Sequence, residues 1–306
     1  MAGELGLQFY AGIPLPTRDA ARQRSEMKIS GCARVRVMTS HTPASSDSFP
    51  SPAIGVGCLA ASVYNAETLW LAFAAARNHR VVDDPAWLAV DAGNNVGGTR
   101  VILRAPVTGT AQLASLHRLI EDLSWPVVVE DPFATINLRA HNLVPRSLSV
   151  MVAEPLTPDS PPPVEQPDIT VREVQGDEKR LLTAERIVVE GFPLRSYQPY
   201  QPGRMLPAGL LRMPHVSVFV AELRGTPCGA CMTVTDTDGV GGLYWVAVLP
   251  EHRRAGVGRA LMMAAMQELL GLPMVLCATP LGEPLYRTLG FRTALESTYW
   301  GVGNPT

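Results

Sequence analysis

The sequence predicts a protein of the α/β class, in its α+β form, built from two halves of similar size. Apolar residues make up 46% of the 306 residues and charged residues 18%, which is enough apolar material for a packed core. At roughly 100–200 residues per domain, this length favours two domains over one. Amphipathic helix patterns also alternate with short apolar strand patterns through most of the chain.

A proline-rich segment marks the boundary between the halves. Residues 154–167 contain six prolines. Proline removes backbone donors and favours extended conformations, so this segment is predicted to be a semi-rigid linker. The predicted domains are therefore residues 1–153 and residues 168–306.

The N-terminal half is predicted to contain a helix, a hairpin, a second helix and two further strands. Asn65 is the predicted N-cap of the first helix, which covers residues 66–77 and is rich in Ala and Leu. The later elements are predicted at residues 87–91, 99–104, 110–123, 127–130 and 147–152, with a turn at 94–98. Before them, residues 1–38 show weak periodicity, and the Ser/Pro-rich residues 39–52 are predicted to form a loop.

The C-terminal half follows a related order. Strands are predicted at residues 169–174, 216–223, 228–235, 242–248 and 274–278, helices at 178–190, 258–270 and 283–289, and a last strand pair from Phe291. The hairpins at 87–104 and 218–235 correspond at an offset of 131 residues. This correspondence favours a duplication of one fold, although a helix followed by a hairpin is also a common combination.

Composition excludes several classes of protein and site. The net charge is −2, so no strongly basic field is present to hold nucleic acid or an anionic membrane. The start of the chain lacks the pattern of a secretory signal, and its apolar stretches are too short to span a bilayer. A cytoplasmic protein without a membrane partner is expected. The five cysteines are scattered, and Cys228 and Cys231 lack two further ligands, so neither disulfides nor a metal site are expected.

One segment of the C-terminal half has the pattern of an anion site. An apolar strand ends near Val248, a loop with Arg253, Arg254, Gly256 and Gly258 follows, and a helix begins at once. The first turn of a helix has unpaired N–H groups and a positive dipole end. Glycines allow close approach to the backbone, and arginines add charged donors. The arrangement predicts a pyrophosphate site.

At these residues the sequence resembles the GCN5-related N-acetyltransferase (GNAT) superfamily. The family's motif for acetyl-CoA, Gln/Arg-x-x-Gly-x-Gly/Ala, is matched by residues 253–258. A second match, of the form Leu-Tyr-x-x-x-Gly-Phe, lies at residues 285–291. The resemblance covers residues 169–300, and the layout in two halves is similar to that of tandem GNAT proteins. Each half is then expected to be a mixed, mainly antiparallel sheet flanked by helices.

The resemblance implies transfer of an acetyl group from acetyl-CoA to an amine. It assigns acetyl-CoA binding to Val246, Ala247, Val248, Arg253, Arg254, Ala255, Gly256, Val257, Gly258, Arg259, Thr279 and Tyr286. Tyr286 is also the expected acid that protonates the leaving thiolate. The N-terminal half has no such motif and is expected to have lost acetyl-CoA binding.

The general base is left open by the sequence. Many family members have a Glu on the strand that precedes the glycine loop, but residues 243–248 contain no carboxylate. Glu190 at the end of a helix is the chosen candidate. Other candidates are Asp236, Asp238, Glu251 and His252, and a water relay with no dedicated base is the alternative.

The acceptor is expected to be a small-molecule amine bound by the loop-rich residues 192–213. Phe192, Tyr197, Tyr200 and Met205 predict a partly aromatic wall. Two alternatives are a different donor, either a longer acyl-CoA or an aminoacyl-tRNA, and a regulatory module that binds acetyl-CoA without catalysis. The chain is expected to be a monomer or a homodimer.

Overall fold

The computed structural model describes residues 52–93, 98–158, 166–192 and 194–303. The predictions for residues 1–51, for most of the turn at 94–98 and for the middle of the linker lie outside this part of the chain. The described strands form a single eleven-stranded sheet with helices on both faces. This confirms the mixed α/β class, while the division into two domains stays a prediction.

The elements follow the predicted order closely. The helices are α1 (Pro52–Arg77), α2 (Thr110–Asp122), α3 (Glu178–Gly191), α4 (Val257–Glu268) and α5 (Glu283–Thr288). The strands are β1 (Arg80–Asp84), β2 (Trp87–Asp91), β3 (Thr99–Leu103), β4 (Val127–Asp131), β5 (Leu143–Ala153), β6 (Ile169–Glu173), β7 (Val216–Leu223), β8 (Thr226–Thr235), β9 (Gly241–Val248), β10 (Met274–Ala278) and β11 (Arg292–Val302). In place of the strand pair predicted after Phe291, the described residues contain the single strand β11.

The predicted N-cap at Asn65 is wrong. Helix α1 begins thirteen residues earlier, at Pro52, so Asn65 lies within the helix. Its side chain is fully buried and hydrogen-bonds the β8–β9 turn of the other half. Asn65, which the sequence pattern places at a helix start, therefore makes a contact between the two halves.

The strand order is symmetric about the centre of the sheet. It runs β1-β2-β3-β4-β11-β5-β10-β9-β8-β7-β6. The last strand of each half, β5 or β11, lies between strands of the other half. Only the β3–β4 and β9–β10 pairs are parallel. Each parallel pair follows an antiparallel hairpin, so the counterpart of the β2–β3 hairpin is β8–β9 rather than the predicted β7–β8. The symmetry of the strand order supports the predicted duplication.

Successive side chains along the strands face opposite sides of the sheet and pack into two apolar layers. Leu88 and Ile102 pack with α1 and α3 on one face, whereas Ala89 and Val101 pack with α2 on the opposite face. Helices α4 and α5 cover the C-terminal strands through residues such as Leu261. No helix in the described ranges combines the length and the hydropathy that crossing a membrane requires. The layer that contains α1 and α3 positions the site described next.

Candidate functional site

The glycine loop between β9 and α4 has the backbone of an anion-binding turn. A short 3-10 turn, Pro250–His252, leads into it, and Gly256 is the N-cap of α4. Arg254 and Gly256 both have positive φ angles, of 62° and 87°. The first N–H groups of α4 have no acceptor within the helix, and they lie at its positive end. The loop therefore presents donors to an anion.

The two glycines of the motif have different roles. A Cβ on Gly256 would lie 2.2 Å from Oε1 of Gln166, which comes from the end of the proline-rich segment. With its positive φ as well, position 256 accepts only glycine without strain. A Cβ on Gly258 would lie 3.3 Å from Leu285 of α5. Gly258 therefore serves the close packing of α4 against α5.

The arginines of the loop also differ. Arg253 donates from Nε to the carbonyl of Val248 at 3.1 Å and from Nη2 to that of Gly191 at 2.9 Å, so it joins the loop to the end of α3. Arg259 reaches Thr288 at 3.4 Å. Arg254 is exposed, and its guanidinium has no hydrogen bond or ion pair within the part of the chain that the structure describes. Among the predicted arginines, Arg254 is the one whose donors are free for a phosphate.

Strands β9 and β10 separate immediately before the glycine loop. They pair only through Met274 with Gly241 and Val275 with Gly242. A bulge in β9 follows, where Trp245 has a φ of 48° and the register against β8 shifts. Beyond Gly242, β9 pairs only with β8, so one edge of residues 243–248 faces a gap. Val246, Ala247 and Val248, for which donor binding was predicted, lie along this gap.

A cavity of about 780 Å³ extends from this gap into the N-terminal half. At the gap it is lined by Val246, Thr279 and Tyr286. At its far end it is lined by Arg100 and Glu130. Its walls include Trp70 of α1 and the side chains of Phe192, Leu194, Tyr197, Tyr244, Trp245, Cys277 and Tyr299. Both halves therefore line one mostly apolar cavity, open to solvent on one side, of the size that binds small molecules.

Tyr286 lies at the end of the cavity near the glycine loop. It belongs to α5, is 8% exposed and packs beside Phe291 with ring centroids 6.2 Å apart. Burial raises the pKa of its hydroxyl above the ordinary tyrosine value. The phenol is therefore held in its protonated form, which is the form that a general acid needs.

Two of the four predicted acceptor residues line the cavity, and two do not. Phe192 and Tyr197 are in its wall. Tyr200 instead hydrogen-bonds Glu185 at 3.0 Å, and Met205 is packed in the core with its N–H donating to Glu185. Their side chains stabilise the loop that follows α3 and are not positioned to contact an acceptor.

Glu185 is a buried carboxylate that the sequence analysis missed. It is fully buried in α3 and accepts hydrogen bonds from the N–H groups of Gly203 at 2.7 Å and Leu206 at 3.0 Å. Together with the bonds from Tyr200 and Met205, these contacts fix the loop over the cavity. A glutamate among apolar helix residues, such as Leu181 and Ile187, was the signal available in the sequence.

None of the predicted bases lines the cavity. Glu190 is exposed at the end of α3. Asp236 is buried but accepts from the N–H groups of Asp238 at 3.0 Å and Val240 at 2.9 Å, so it stabilises the β8–β9 turn. Glu251 and His252 are in the loop outside the cavity. The geometry thus separates Glu190 from Tyr286.

The charged end of the cavity comes from the N-terminal half. Nη1 of Arg100 lies 3.4 Å from Oε1 of Glu130, and its guanidinium lies 4.0 Å from the centre of the Trp70 ring. Burial raises the pKa of Glu130, while Arg100 lowers it. Beside them, Sγ of Cys277 is 2.9 Å from the Tyr299 hydroxyl. The sequence signal available for this cluster was Glu130, the acidic residue that follows the apolar residues 127–129.

The equivalent position in the N-terminal half is closed. Strands β3 and β4 pair at four successive positions, from Thr99 with Val127 to Ile102 with Glu130. Gly109, the N-cap of α2, has an extended backbone with φ −97° and ψ 143°. The features that open the β9–β10 gap and shape the glycine loop therefore have no counterpart here. Among the described residues there is also no group of three side chains arranged to hold a metal ion.

Comparison with known proteins places a family match over the glycine loop. Residues 214–293 match the model of the acetyltransferase (GNAT) domain, which confirms the resemblance found in the C-terminal half. No protein of curated function matches the sequence.

Solved structures share the fold at low sequence identity. A GCN5-related N-acetyltransferase from Kribbella flavida has a TM-score of 0.56 and 19% identity, covering 80% of this chain and 96% of its own. A functionally unknown conserved protein from Staphylococcus epidermidis has a TM-score of 0.52 and 11% identity, covering 73% of this chain and 94% of its own. At these identities the likeness shows the fold, and it extends over most of the chain.

Proposed function

We propose that this chain, whose residues 214–293 match the GNAT domain, transfers an acetyl group from acetyl-CoA to the amine of a small molecule. The observation that supports this best is the gap between β9 and β10. It opens beside the glycine loop and continues into the cavity, so a donor and an acceptor meet at Tyr286 from opposite sides.

The residues of the loop and the gap fit the donor. The N–H groups at the start of α4 and the guanidinium of Arg254 would hold the pyrophosphate. The backbone of Val246 and Val248 would hold the pantetheine arm along the open edge of β9. When bound, acetyl-CoA supplies an acetyl group that is activated as a thioester.

The side chains then supply positioning and a proton. The cavity walls hold the amine and exclude bulk water, which strengthens polar interactions inside. During the reaction a C–N bond forms and the C–S bond breaks. Tyr286 donates its proton to the departing sulfur. The proton released by the amine leaves through water, because Glu190 is outside the cavity, and the Tyr286 phenolate regains a proton from water.

A small-molecule acceptor fits the site better than a macromolecule. The cavity, at about 780 Å³, is within the usual range for small-molecule sites. The net charge of −2 also gives no general attraction for tRNA. A compact amine is therefore the proposed acceptor class.

The experiment is an assay of CoA thiol release with acetyl-CoA and a panel of primary amines. Thiol release that depends on the amine is expected for the wild type, and Arg254→Glu should abolish it, because a carboxylate would replace the free cation of the loop. Arg118→Glu on the outer surface of α2 is the matched control and should keep the activity. Acetyl-CoA binding without release for any amine would contradict the proposal.

A further inference from the structure

A buried contact between the halves fixes the orientation of one cavity side chain. Asn65 of α1 donates from Nδ2 to the carbonyl of Val240 at 2.9 Å and to the carboxylate of Asp236 at 3.1 Å. Those two acceptors require the nitrogen of the amide to face them. The amide oxygen, Oδ1, then accepts the hydroxyl proton of Tyr244 at an oxygen–oxygen distance of 2.6 Å.

This contact leaves the Tyr244 hydroxyl able only to accept hydrogen bonds. A tyrosine hydroxyl has one proton, and Tyr244 uses it in the hydrogen bond to Oδ1 of Asn65. Burial raises the pKa of Tyr244 well above the ordinary value, and the neighbouring Cys277, Glu130 and Asp236 raise it further, so the phenol stays neutral. A ligand that reaches this oxygen must therefore bring its own N–H or O–H donor.

Tyr244 lines the cavity close to the point where β9 separates from β10. It is two residues beyond Gly242, the last residue of β9 that pairs with β10, and its side chain lines the cavity. Glu130 lines the same cavity, where it is paired with Arg100 at 3.4 Å. The other walls are apolar and aromatic, including Trp70 and Phe192.

We propose that the Tyr244 oxygen, oriented by Asn65 of the N-terminal half, accepts a hydrogen bond from the amino group of the acceptor. The acceptor is then a primary amine on an apolar body of aromatic size. The inference rests on the proposed function and names its substrate class. Asn65 acts as a positioning residue, and the N-terminal half thereby completes a site whose donor end belongs to the C-terminal half.

The test is calorimetry on the full chain in the presence of CoA, so that no acetyl transfer occurs. The probes are 2-phenylethylamine and 2-phenylethyltrimethylammonium, which share a charge and a ring, although only the first has N–H donors. Tyr244→Phe is expected to weaken binding of the amine by roughly tenfold to a hundredfold, the range for a hydrogen bond to a charged group. The affinity of the same variant for the trimethylammonium probe should stay within about twofold of the wild-type value. Tyr64→Phe, an exposed tyrosine that hydrogen-bonds Thr237 and does not line the cavity, is the matched control.

A double-mutant cycle tests the role of Asn65. Asn65→Ala should weaken amine binding in the wild-type background and have no further effect on it in the Tyr244→Phe background. An equal loss in both backgrounds would show that Asn65 does not act through Tyr244. Retained CoA affinity shows that each variant is folded.

The remaining outcomes separate this inference from the proposed function. If CoA binds and 2-phenylethylamine does not, or if Tyr244→Phe weakens both probes equally, the inference is overturned while the proposed function stands. If CoA itself does not bind to the wild-type chain, the proposed function fails and the inference fails with it.

Discussion

Tyr286 shows how the environment of a single residue determines its chemistry. Its hydroxyl is in an apolar setting beside Phe291, and burial raises its pKa above the ordinary tyrosine value. Because the shift is upward, the proton is retained throughout the neutral range and is lost only above the ordinary tyrosine pKa. The phenol is thus protonated at every pH at which the assay is practical.

Tyr286→Phe should lower kcat by roughly 10²–10⁴-fold if chemistry limits the rate, which is the usual contribution of general acid catalysis. The KM for acetyl-CoA should change little, because the ring and its packing remain. Steady-state kinetics with a burst-phase control for the limiting step provide the measurement. A kcat within about threefold of the wild type, with chemistry still limiting, would identify Tyr286 as a packing residue.

Residue patterns give a more specific prediction for the proposed donor end of the site than for the proposed acceptor end. The glycine loop is contiguous in sequence, and the turn and helix start needed for an anion are encoded within six residues, 253–258. The acceptor end combines Glu130, Tyr244 and Tyr299, which come from three different strands. No local pattern brings these residues together, so the sequence analysis did not identify them.

At the scale of elements, α3 and the loop after it depend on one buried carboxylate. Glu185 accepts from three backbone N–H groups and from Tyr200. A glutamine at this position would turn its NH₂ group toward backbone N–H groups of the loop, and those N–H groups would then have no acceptor. The order of the loop, and with it the cavity wall at Phe192 and Tyr197, should be sensitive to this change.

Glu185→Gln is therefore expected to lower the free energy of unfolding by about 2–3 kcal/mol, the range for lost hydrogen bonds to a charged group. Urea unfolding followed by circular dichroism measures the change. Glu190→Gln, on the exposed end of the same helix, is the matched control and should stay within about 0.5 kcal/mol of the wild type. Equal stabilities for the two variants would mean that the Glu185 bonds do not hold the loop.

Element boundaries were predicted well where the pattern is local. The predicted strand at 274–278 matches β10 residue for residue, and most other predicted strands differ by a few residues. The exceptions are β1, which was not predicted, and β11, which was predicted as a strand pair. The start of α1 was missed because Asn65 has the chemistry of an N-cap, while its actual partners are about 170 residues away in the other half. Long-range contacts of this kind are invisible to hydrophobic periodicity.

At the scale of the whole molecule, the halves are joined through their last strands. Strand β11 lies between β4 and β5, and β5 lies between β11 and β10. The sequence predicts strands in these regions, with β5 shorter than observed and β11 as a strand pair, but it does not predict their partners, because a strand pattern specifies its faces and not its neighbours. The proline-rich segment therefore divides the sequence without dividing the sheet.

In the proposed function one half binds the donor while both halves form the acceptor cavity, and the arrangement of the strands supports this proposal. The gap beside the glycine loop exists only between β9 and β10, whereas β3 and β4 are paired across the corresponding region. The N-terminal half instead contributes α1 and the end of β4 to the cavity wall, through Trp70 and Glu130. From this asymmetry we predict a single donor site per chain.

Native mass spectrometry of the full chain with acetyl-CoA tests this central claim most directly. The account predicts one acetyl-CoA per chain for the wild type and none for Arg254→Glu, with Arg118→Glu behaving as the wild type. Two molecules per chain would show that the N-terminal half also binds the donor. Undiminished binding by a folded Arg254→Glu variant would show that the glycine loop is not the pyrophosphate site.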